Sequence, residues 1–356
     1  MKALLLTAPS CLELTDFPEP SLGDEDVLVR VRACGICGSD IHGWDGSSGR
    51  RHPPLIMGHE ASGSIARVGP RVTRWKVGDR VTFDSTIYCG ECAFCRVGQV
   101  NLCDNRRVVG VSPVEYKQHG AFAEYVALPE RILYRLPDAL TYEKAAMIEP
   151  VSIAVHAVRR VLPGAGQPGV RESELGGPAT AVVVGSGMIG LLVVQALRWA
   201  GIDRVIAVDL EDKRLETARV LGATSTFNSA TTDVVAEVGK LTGGRGADYA
   251  FEVVGISPTL SLALACLRRG GSAVLVGNLS PRTDFPMQAV VTRELTLYGT
   301  CGSAGEYPLC LDLIAGGVIR VEPMMSAVAP LEEGRDWFEK LSAKGGGKFM
   351  KVILTP

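Results

Sequence analysis

The chain lacks any strong excess of charge. Its 37 Lys and Arg stand against 39 Asp and Glu, a formal net charge of -2. Without a basic surplus or a block of like charge, nothing points to nucleic acid or to a charged tail. Long apolar runs are also missing. The longest, "MIGLLVVQALRWAG" from Met188, is too short to span a bilayer and carries Arg198. The opening "MKALLLTAPSCLELTDF" has one basic residue, a short apolar run and no small-residue cleavage site, so no secretory leader is read. Internal repeats and low-complexity tracts are absent too. The expectation is a soluble, cytoplasmic protein with neither nucleic acid nor membrane as partner. In a reducing compartment, clustered cysteines more often hold metal than form disulfides.

What is present is a chain of 356 residues, enough for two domains, with 46% hydrophobic and 21% charged residues to build a substantial core. The first 150 residues read as β-rich. "DVLVRVRA" alternates, and "SGSIARVGPRV" and "GDRVTF" are short β-prone runs separated by Gly, Pro and Asp. The middle changes character. "AVVVG" is a buried strand followed by a helix to Gly201, "RVIAVD" a second strand, and "LEDKRLETARVLGA" a helix. "ADYAFEVVG" is a strand, "PTLSLALACLRRGG" a helix, and "SAVLVGN" and "LTLYGT" are further strands. Such alternation implies a parallel sheet with helices on both faces. The stretch 162–179 reads as an irregular, Gly- and Pro-rich connection, and "GKFMKVILTP" at 347–356 as a strand.

"VVVGSGMIG" places Gly185, Gly187 and Gly190 as G-x-G-x-x-G between a strand and a helix. The first glycine allows the tight turn, the second lets a pyrophosphate approach the backbone, and the third lets helix and strand pack closely. The helix start offers N–H groups to phosphate. Asp209 follows Gly190 by nineteen positions, at the end of the next strand. A carboxylate there accepts from ribose hydroxyls and repels a 2′-phosphate, which favours NAD over NADP. Lys213 and Arg214 follow it and weaken that preference. Cofactor contacts are expected from Gly185, Gly187, Met188, Ile189, Gly190, Asp209 and Arg214, and from Val254, Gly255, Val276 and Gly277 at the ends of later strands.

Two constellations offer metal ligands. In "YCGECAFCRVGQVNLC", Cys89, Cys92, Cys95 and Cys103 have the spacing C-x2-C-x2-C-x7-C. Four thiolates suit a closed tetrahedral zinc site with no position for substrate, hence a structural one. An iron–sulfur cluster also opens with C-x2-C-x2-C, but continues with three residues and Cys-Pro. Here the fourth Cys comes eight positions later, before Asp104. A nucleic-acid finger would need a basic helix beside it. The second constellation is dispersed: Cys37, Ser39, Asp40 and His42 in "ACGICGSDIH", His59 and Glu60 in "MGHEASG", and Glu149 in "MIEPVSIAVHA". Cys, His and a carboxylate would supply the three ligands of a catalytic zinc and leave one position open. Taken singly, each residue is as well explained as a buried thiol, a core histidine or an ion-pair partner.

"GHEASGSIARVGPRV" resembles the zinc-containing alcohol dehydrogenase signature of G-H-E, two residues, Gly, five residues, Gly. The four-Cys lobe, "IEPVSIAVHA" and the dinucleotide motif follow in that family's order, so the resemblance to zinc-dependent medium-chain dehydrogenases covers essentially the whole chain. "GICGSDIH" and "IEP" are similar to the polyol branch of sorbitol (L-iditol), galactitol, butanediol and threonine dehydrogenases. The ethanol-type branch has Cys where this chain has Glu149.

The resemblance implies an α/β architecture. A GroES-like β-rich catalytic domain would span 1–155, with the structural zinc lobe at about 88–104. A Rossmann NAD-binding domain would span 156–300, and the chain would return to the catalytic domain over 301–356. The active site would lie between the domains, at the carboxyl ends of the Rossmann strands. Cys37 and His59 would be the first two catalytic zinc ligands. Glu60 would complete the shell with water in the fourth place, and Glu149 would stand behind that water or exchange with Glu60. Ser39 would receive the substrate proton and His42 pass it on. The implied reaction takes a secondary alcohol of a polyol to a ketone, with hydride transfer to NAD and two zinc ions per chain. L-Threonine, 2,3-butanediol or a phosphorylated polyol are alternative substrates, and a non-catalytic binding protein of the same fold is an alternative of another class. A homo-oligomer, tetramer or dimer, is implied as well. One departure is the segment "YGTCGS". Animal sorbitol dehydrogenases carry an Arg-Tyr pair there, and this chain has Gly302 and Ser303, so strict sorbitol specificity does not follow.

Overall fold

The computed structural model describes residues 1–113, 116–166, 172–343 and 349–356. The chain divides into two compact units. One comprises Met1–Glu149, Ser303–Gly317 and Val321–Pro356, the other Pro150–Gly302 and Val318–Arg320. The chain therefore leaves the first unit and comes back to it.

The first segment is mostly strand: β1 (Lys2–Ala8), β2 (Cys11–Asp16), β3 (Asp26–Ile36), helix α1 (Gly38–Trp44), β4 (Leu55–Ile56), β5 (Glu60–Val68), β6 (Arg80–Phe83) and β7 (Thr86–Ile87). There follow α2 (Ala93–Arg96), β8 (Arg107–Val108), β9 (Tyr125–Pro129), β10 (Leu133–Arg135) and α3 (Tyr142–Ala145). Branched residues in alternation drive the long β3, where Val27, Val29 and Val31 enter the core and Arg30 and Arg32 turn to solvent.

Helix α4 (Ile148–Val161) leads into the second unit. There β11 (Thr180–Val184), α5 (Met188–Trp199), β12 (Arg204–Asp209), α6 (Asp212–Val220), β13 (Ser225–Asn228) and α7 (Val234–Leu241) alternate. They continue as β14 (Ala247–Glu252), α8 (Ser257–Cys266), β15 (Leu267–Leu275), α9 (Met287–Thr292) and β16 (Thr296–Gly299). The six strands are parallel in the order β13-β12-β11-β14-β15-β16. The order reverses between β11 and β14, the switch point beside which such sheets bind ligands. Val182, Val184, Ile206 and Val208 point to one face and pack with Val234, Val238, Leu260 and Leu264 of α7 and α8. Val183 points to the other face, toward Gly190 of α5.

The reading of 258–271 as helix is corrected at its end. Helix α8 stops at Cys266, and 267–271 already belong to β15. Arg268 is drawn sideways to Asp248 (2.8 Å) and Glu174 (3.1 Å), and Gly270 takes a φ of +67°. The resulting bulge lies where the register shifts between Ala247 and Tyr249. Of the irregular connection read at 162–179, residues 167–171 lie outside the described residues, as do 347 and 348 of the final strand reading.

The return segment adds α10 (Tyr307–Ala315), β17 (Met325–Pro330), α11 (Gly334–Ser342) and β18 (Lys351–Thr355). Strand β18 inserts into the first unit's sheet, whose order is β10-β6-β5-β3-β18-β17, with β9 also paired to β3. Phe338 of α11 makes edge contacts with Phe122 (5.7 Å) and Trp44 (6.1 Å), which ties the last segment into the first segment's core. No helix among the described residues is long and apolar enough to cross a membrane.

Candidate active site and metal centres

Cys37 ends the β3 run and caps α1. Its backbone N–H donates to Asp40 Oδ2 at 3.1 Å, the reciprocal three-residue contact of a capping box. Strand β5 begins at Glu60, which pairs across the ladder with Gly35, so His59 and Glu60 arrive beside Cys37. Donor atoms of Cys37, His59 and Glu60 all lie within 4.8 Å of one another. One thiol, one imidazole and one carboxylate at this separation fit a zinc centre with an open position. Glu149, at the start of α4, falls outside this group of three. It is near enough for charge to matter. Burial first, and then the Glu60 carboxylate, push its acid up to about 7.

Around the three donors lies a second layer. Asp40 is fully buried, and its Oδ1 stands 3.3 Å from His59 Nδ1. Burial disfavours the Asp40 carboxylate, but His59, Arg51 and the Cys37 N–H outweigh it and hold the acid at about 2. Burial likewise opposes a charged His59, and Asp40 and Cys37 raise it well above the ordinary imidazole range. The other ring nitrogen, Nε2, is 3.5 Å from Ser39 Oγ. His42 sits one turn beyond Ser39 on α1, exposed, with Nδ1 3.4 Å from Ser47 Oγ. Lys351 of β18 donates from Nζ to Ile36 O (3.1 Å) and to Glu60 Oε2.

Asp40 and Lys351 were given no role by sequence reasoning, and Arg51 was not singled out. The spacing Cys37-x-x-Asp40 is a legible capping signal. For Lys351 the only hint is a lone cation inside the apolar run "FMKVIL".

The four-cysteine lobe brings all four predicted sulfurs within 4.8 Å of one another. Cys89 Sγ and Cys95 Sγ are 3.9 Å apart, against an edge of about 3.8 Å for a tetrahedron of sulfurs at zinc–thiolate distance. Backbone N–H groups point at the sulfurs, with Cys89 N 3.2 Å from Cys103 Sγ and Cys92 N 3.4 Å from Cys89 Sγ. The N–H groups of Glu91 and Cys92 lower the Cys89 thiol to about 6, whereas burial pushes Cys95 up to about 12. Four adjacent thiols cannot all ionise without a cation to neutralise them, so the donor set fits a structural metal.

In the second unit the turn after β11 has the glycine chemistry read from the sequence. Gly185 adopts φ +103°. A Cβ on Gly190 would fall 1.8 Å from Gly185 O, so nothing larger fits. A Cβ on Gly187 would meet nothing within 4 Å, leaving its backbone open to a ligand at the start of α5, where Met188 and Ile189 form the first turn. Asp209 ends β12, accepting from Ser186 N at 2.7 Å and Leu210 N at 2.8 Å, with Arg214 at 3.8 Å. The remaining expected contacts gather around Glu252, a residue the sequence reading left out. Its carboxylate accepts from Val254 N (2.9 Å) and Gly255 N (2.8 Å), and its carbonyl from Val276 N (2.9 Å) and Gly277 N (3.0 Å).

Comparison with known proteins agrees with this geometry. Residues 23–138 match the alcohol dehydrogenase GroES-like domain, and 189–316 match the zinc-binding dehydrogenase family. Sorbitol dehydrogenase of Bacillus subtilis (strain 168) is 34% identical, the alignment covering 100% of this chain and 97% of that one. D-xylulose reductase A of Aspergillus oryzae is 35% identical, covering 97% and 93%. The crystal structure of 2R,3R-butanediol dehydrogenase from Bacillus subtilis superposes with a TM-score of 0.85 at 30% identity, covering 100% and 99%. The chain belongs to the zinc-dependent medium-chain dehydrogenase family. Within it, the chain is an oxidoreductase of the alcohol and polyol dehydrogenase type.

Proposed function

We propose that this enzyme oxidises a secondary hydroxyl of a polyol or sugar alcohol to the ketone and passes the hydride to NAD in preference to NADP. The observation that carries the reading is the convergence of Cys37, His59 and Glu60 within 4.8 Å. In this reading the catalytic domain is 1–155 with 301–356, and 156–300 binds the dinucleotide. Zinc at the Cys37 centre supplies the Lewis acid that acidifies the substrate hydroxyl, and NAD supplies the hydride acceptor. Ser39, on the Nε2 side of His59, takes up the released proton. His42, exposed one helical turn later, passes it to solvent. Glu60 balances charge at the centre, and Glu149 is the carboxyl that replaces it or holds water beside it. The four-cysteine lobe is structural.

The names of the relatives, sorbitol dehydrogenase and D-xylulose reductase, support linear polyols as the substrate class. We place the enzyme in the cytoplasm as a homo-oligomer, a tetramer or a dimer. β16 is the terminal strand of its sheet and offers an edge to a second copy. The test is purified, zinc-loaded protein assayed for reduced-nicotinamide absorbance with NAD and then NADP. The panel holds sorbitol, xylitol, L-iditol, galactitol, butane-2,3-diol, L-threonine and a phosphorylated polyol. Turnover with a linear polyol and NAD is expected. Turnover confined to threonine, butanediol or the phosphorylated substrate would overturn the substrate class and leave the reaction standing.

A further inference from the structure

We propose that Arg51 is a positioning residue for the Cys37 centre, the outer member of a buried chain Arg51–Asp40–His59 that also fixes the hydroxyl of Ser39. Arginine is seldom buried, yet Arg51 is only 9% exposed. The fold makes room for it. A Cβ on Gly43 would fall 2.4 Å from Arg51 Cγ, so only a glycine in α1 lets the arginine stem pass. Nη2 lies 3.5 Å from Asp40 Oδ1 and donates to Ser39 Oγ at 3.3 Å. Its Nε is buried with no hydrogen-bond partner among the described residues. Full satisfaction of its own donors therefore does not explain its position, whereas its two contacts do.

The first contact balances charge. An imidazole that gives its Nε2 lone pair to a metal keeps a single proton, on Nδ1, and no net charge. Asp40 would then face a neutral ring, with Arg51 as the full positive charge beside it. A buried carboxylate without such a partner is costly. Asp40 in turn faces Nδ1, and an outer carboxylate of this kind sets the orientation and basicity of a ligating histidine. The second contact is directional. Because Arg51 donates to Ser39 Oγ, the hydroxyl proton must point elsewhere. His59 Nε2 lies 3.5 Å from the same oxygen, and once its lone pair is given to a metal it accepts no proton, so the hydroxyl proton turns away from both groups. Arg51 thus fixes the place of Ser39 Oγ beside the donor group, where its proposed proton transfer occurs.

The inference rests on Cys37, His59 and Glu60 being metal ligands. The test measures zinc affinity at that centre by chelator competition, in full-length protein that retains the metal of the four-cysteine lobe. Arg51→Met should weaken zinc binding at the Cys37 centre about 10- to 100-fold, the range for loss of an outer-shell partner, and leave the lobe unchanged. On an Asp40→Asn background, where no charge remains to balance, Arg51→Met should add little. Unchanged affinity, or an equal loss on the Asp40→Asn background, overturns the proposal. If Arg51→Met fails to fold, Arg51→Lys carries the test. It keeps the charge for Asp40 but cannot also hold Ser39, so zinc affinity should stay near the parent's while kcat falls and KM holds. An undiminished kcat, or a loss of zinc with the charge kept, overturns it. A parent protein that takes zinc only into the lobe would instead sink the ligand reading itself.

Discussion

Lys351 reaches Glu60 across Gly35. In the sheet, β3 lies between β18 and β5, with Gly35 paired to Ile353 on one side and to Glu60 on the other. A Cβ on Gly35 would fall 2.5 Å from Glu60 Oε2 and 3.2 Å from Lys351 Cδ, so the bare backbone there is what lets the ammonium cross the strand. Both side chains are buried, 3% and 1% exposed. Burial opposes the charged Lys351, but Glu60 and Cys37 raise its pKa above the ordinary lysine value.

Removing one partner strands the other. Lys351→Met should cost about 3–5 kcal/mol of stability in a urea titration, and Lys351→Met with Glu60→Gln should recover part of it. Additive losses would show that the two groups are not coupled.

The two metal centres separate by readout. Cys95→Ser should lose the lobe's zinc and lower the melting temperature, because binding energy at a structural site is folding energy. Cys37→Ser should lose the other zinc and depress kcat about a thousandfold or more, with the melting temperature nearly unmoved. A Cys95 variant that lost only catalysis would mean the lobe is not structural.

Asp209 should set the cofactor choice. Asp209→Ser removes an acceptor for the ribose hydroxyls and the charge that repels a 2′-phosphate. We expect kcat/KM for NAD to fall about ten- to a hundredfold, as for a lost hydrogen bond to a charged group, while that for NADP rises. Because Asp209 also accepts from Ser186 N, thermal melting should be followed alongside.

Asp84 should carry a pH dependence of stability. It is buried against Thr86, Ser303 and Glu306, and burial pushes its acid up to about 6 from an unfolded value of 3.8. The fold therefore favours the protonated form. This stabilisation is complete below about pH 4 and is lost as pH rises through 6, roughly 3 kcal/mol in all. Asp84→Asn should remove that slope, so that parent and variant diverge between pH 4 and 7 in chemical denaturation. Parallel curves would contradict the assignment.

The sequence alone determined the elements that depend on near neighbours. The glycines at 185, 187 and 190 and the cysteines at 89, 92, 95 and 103 are legible because turn geometry and tetrahedral ligation act over a few residues. Five strands of the second unit are legible because each is a short apolar run bounded by turns, whereas β13, with the polar sequence STFN and only partial burial, was not read and forms by pairing with β12. The end of α8 was not, because Arg268 answers to Asp248 and Glu174, distant in sequence. Only the tertiary structure decided the surroundings of the Cys37 centre. Glu60 is 291 residues from Lys351 and pairs with it only because β18 returns beside β3. Arg51 reaches Asp40 only through the space at Gly43. Burial turns these pairs of charges into strong constraints, and burial is a property of the assembled sheet, not of any local run of residues.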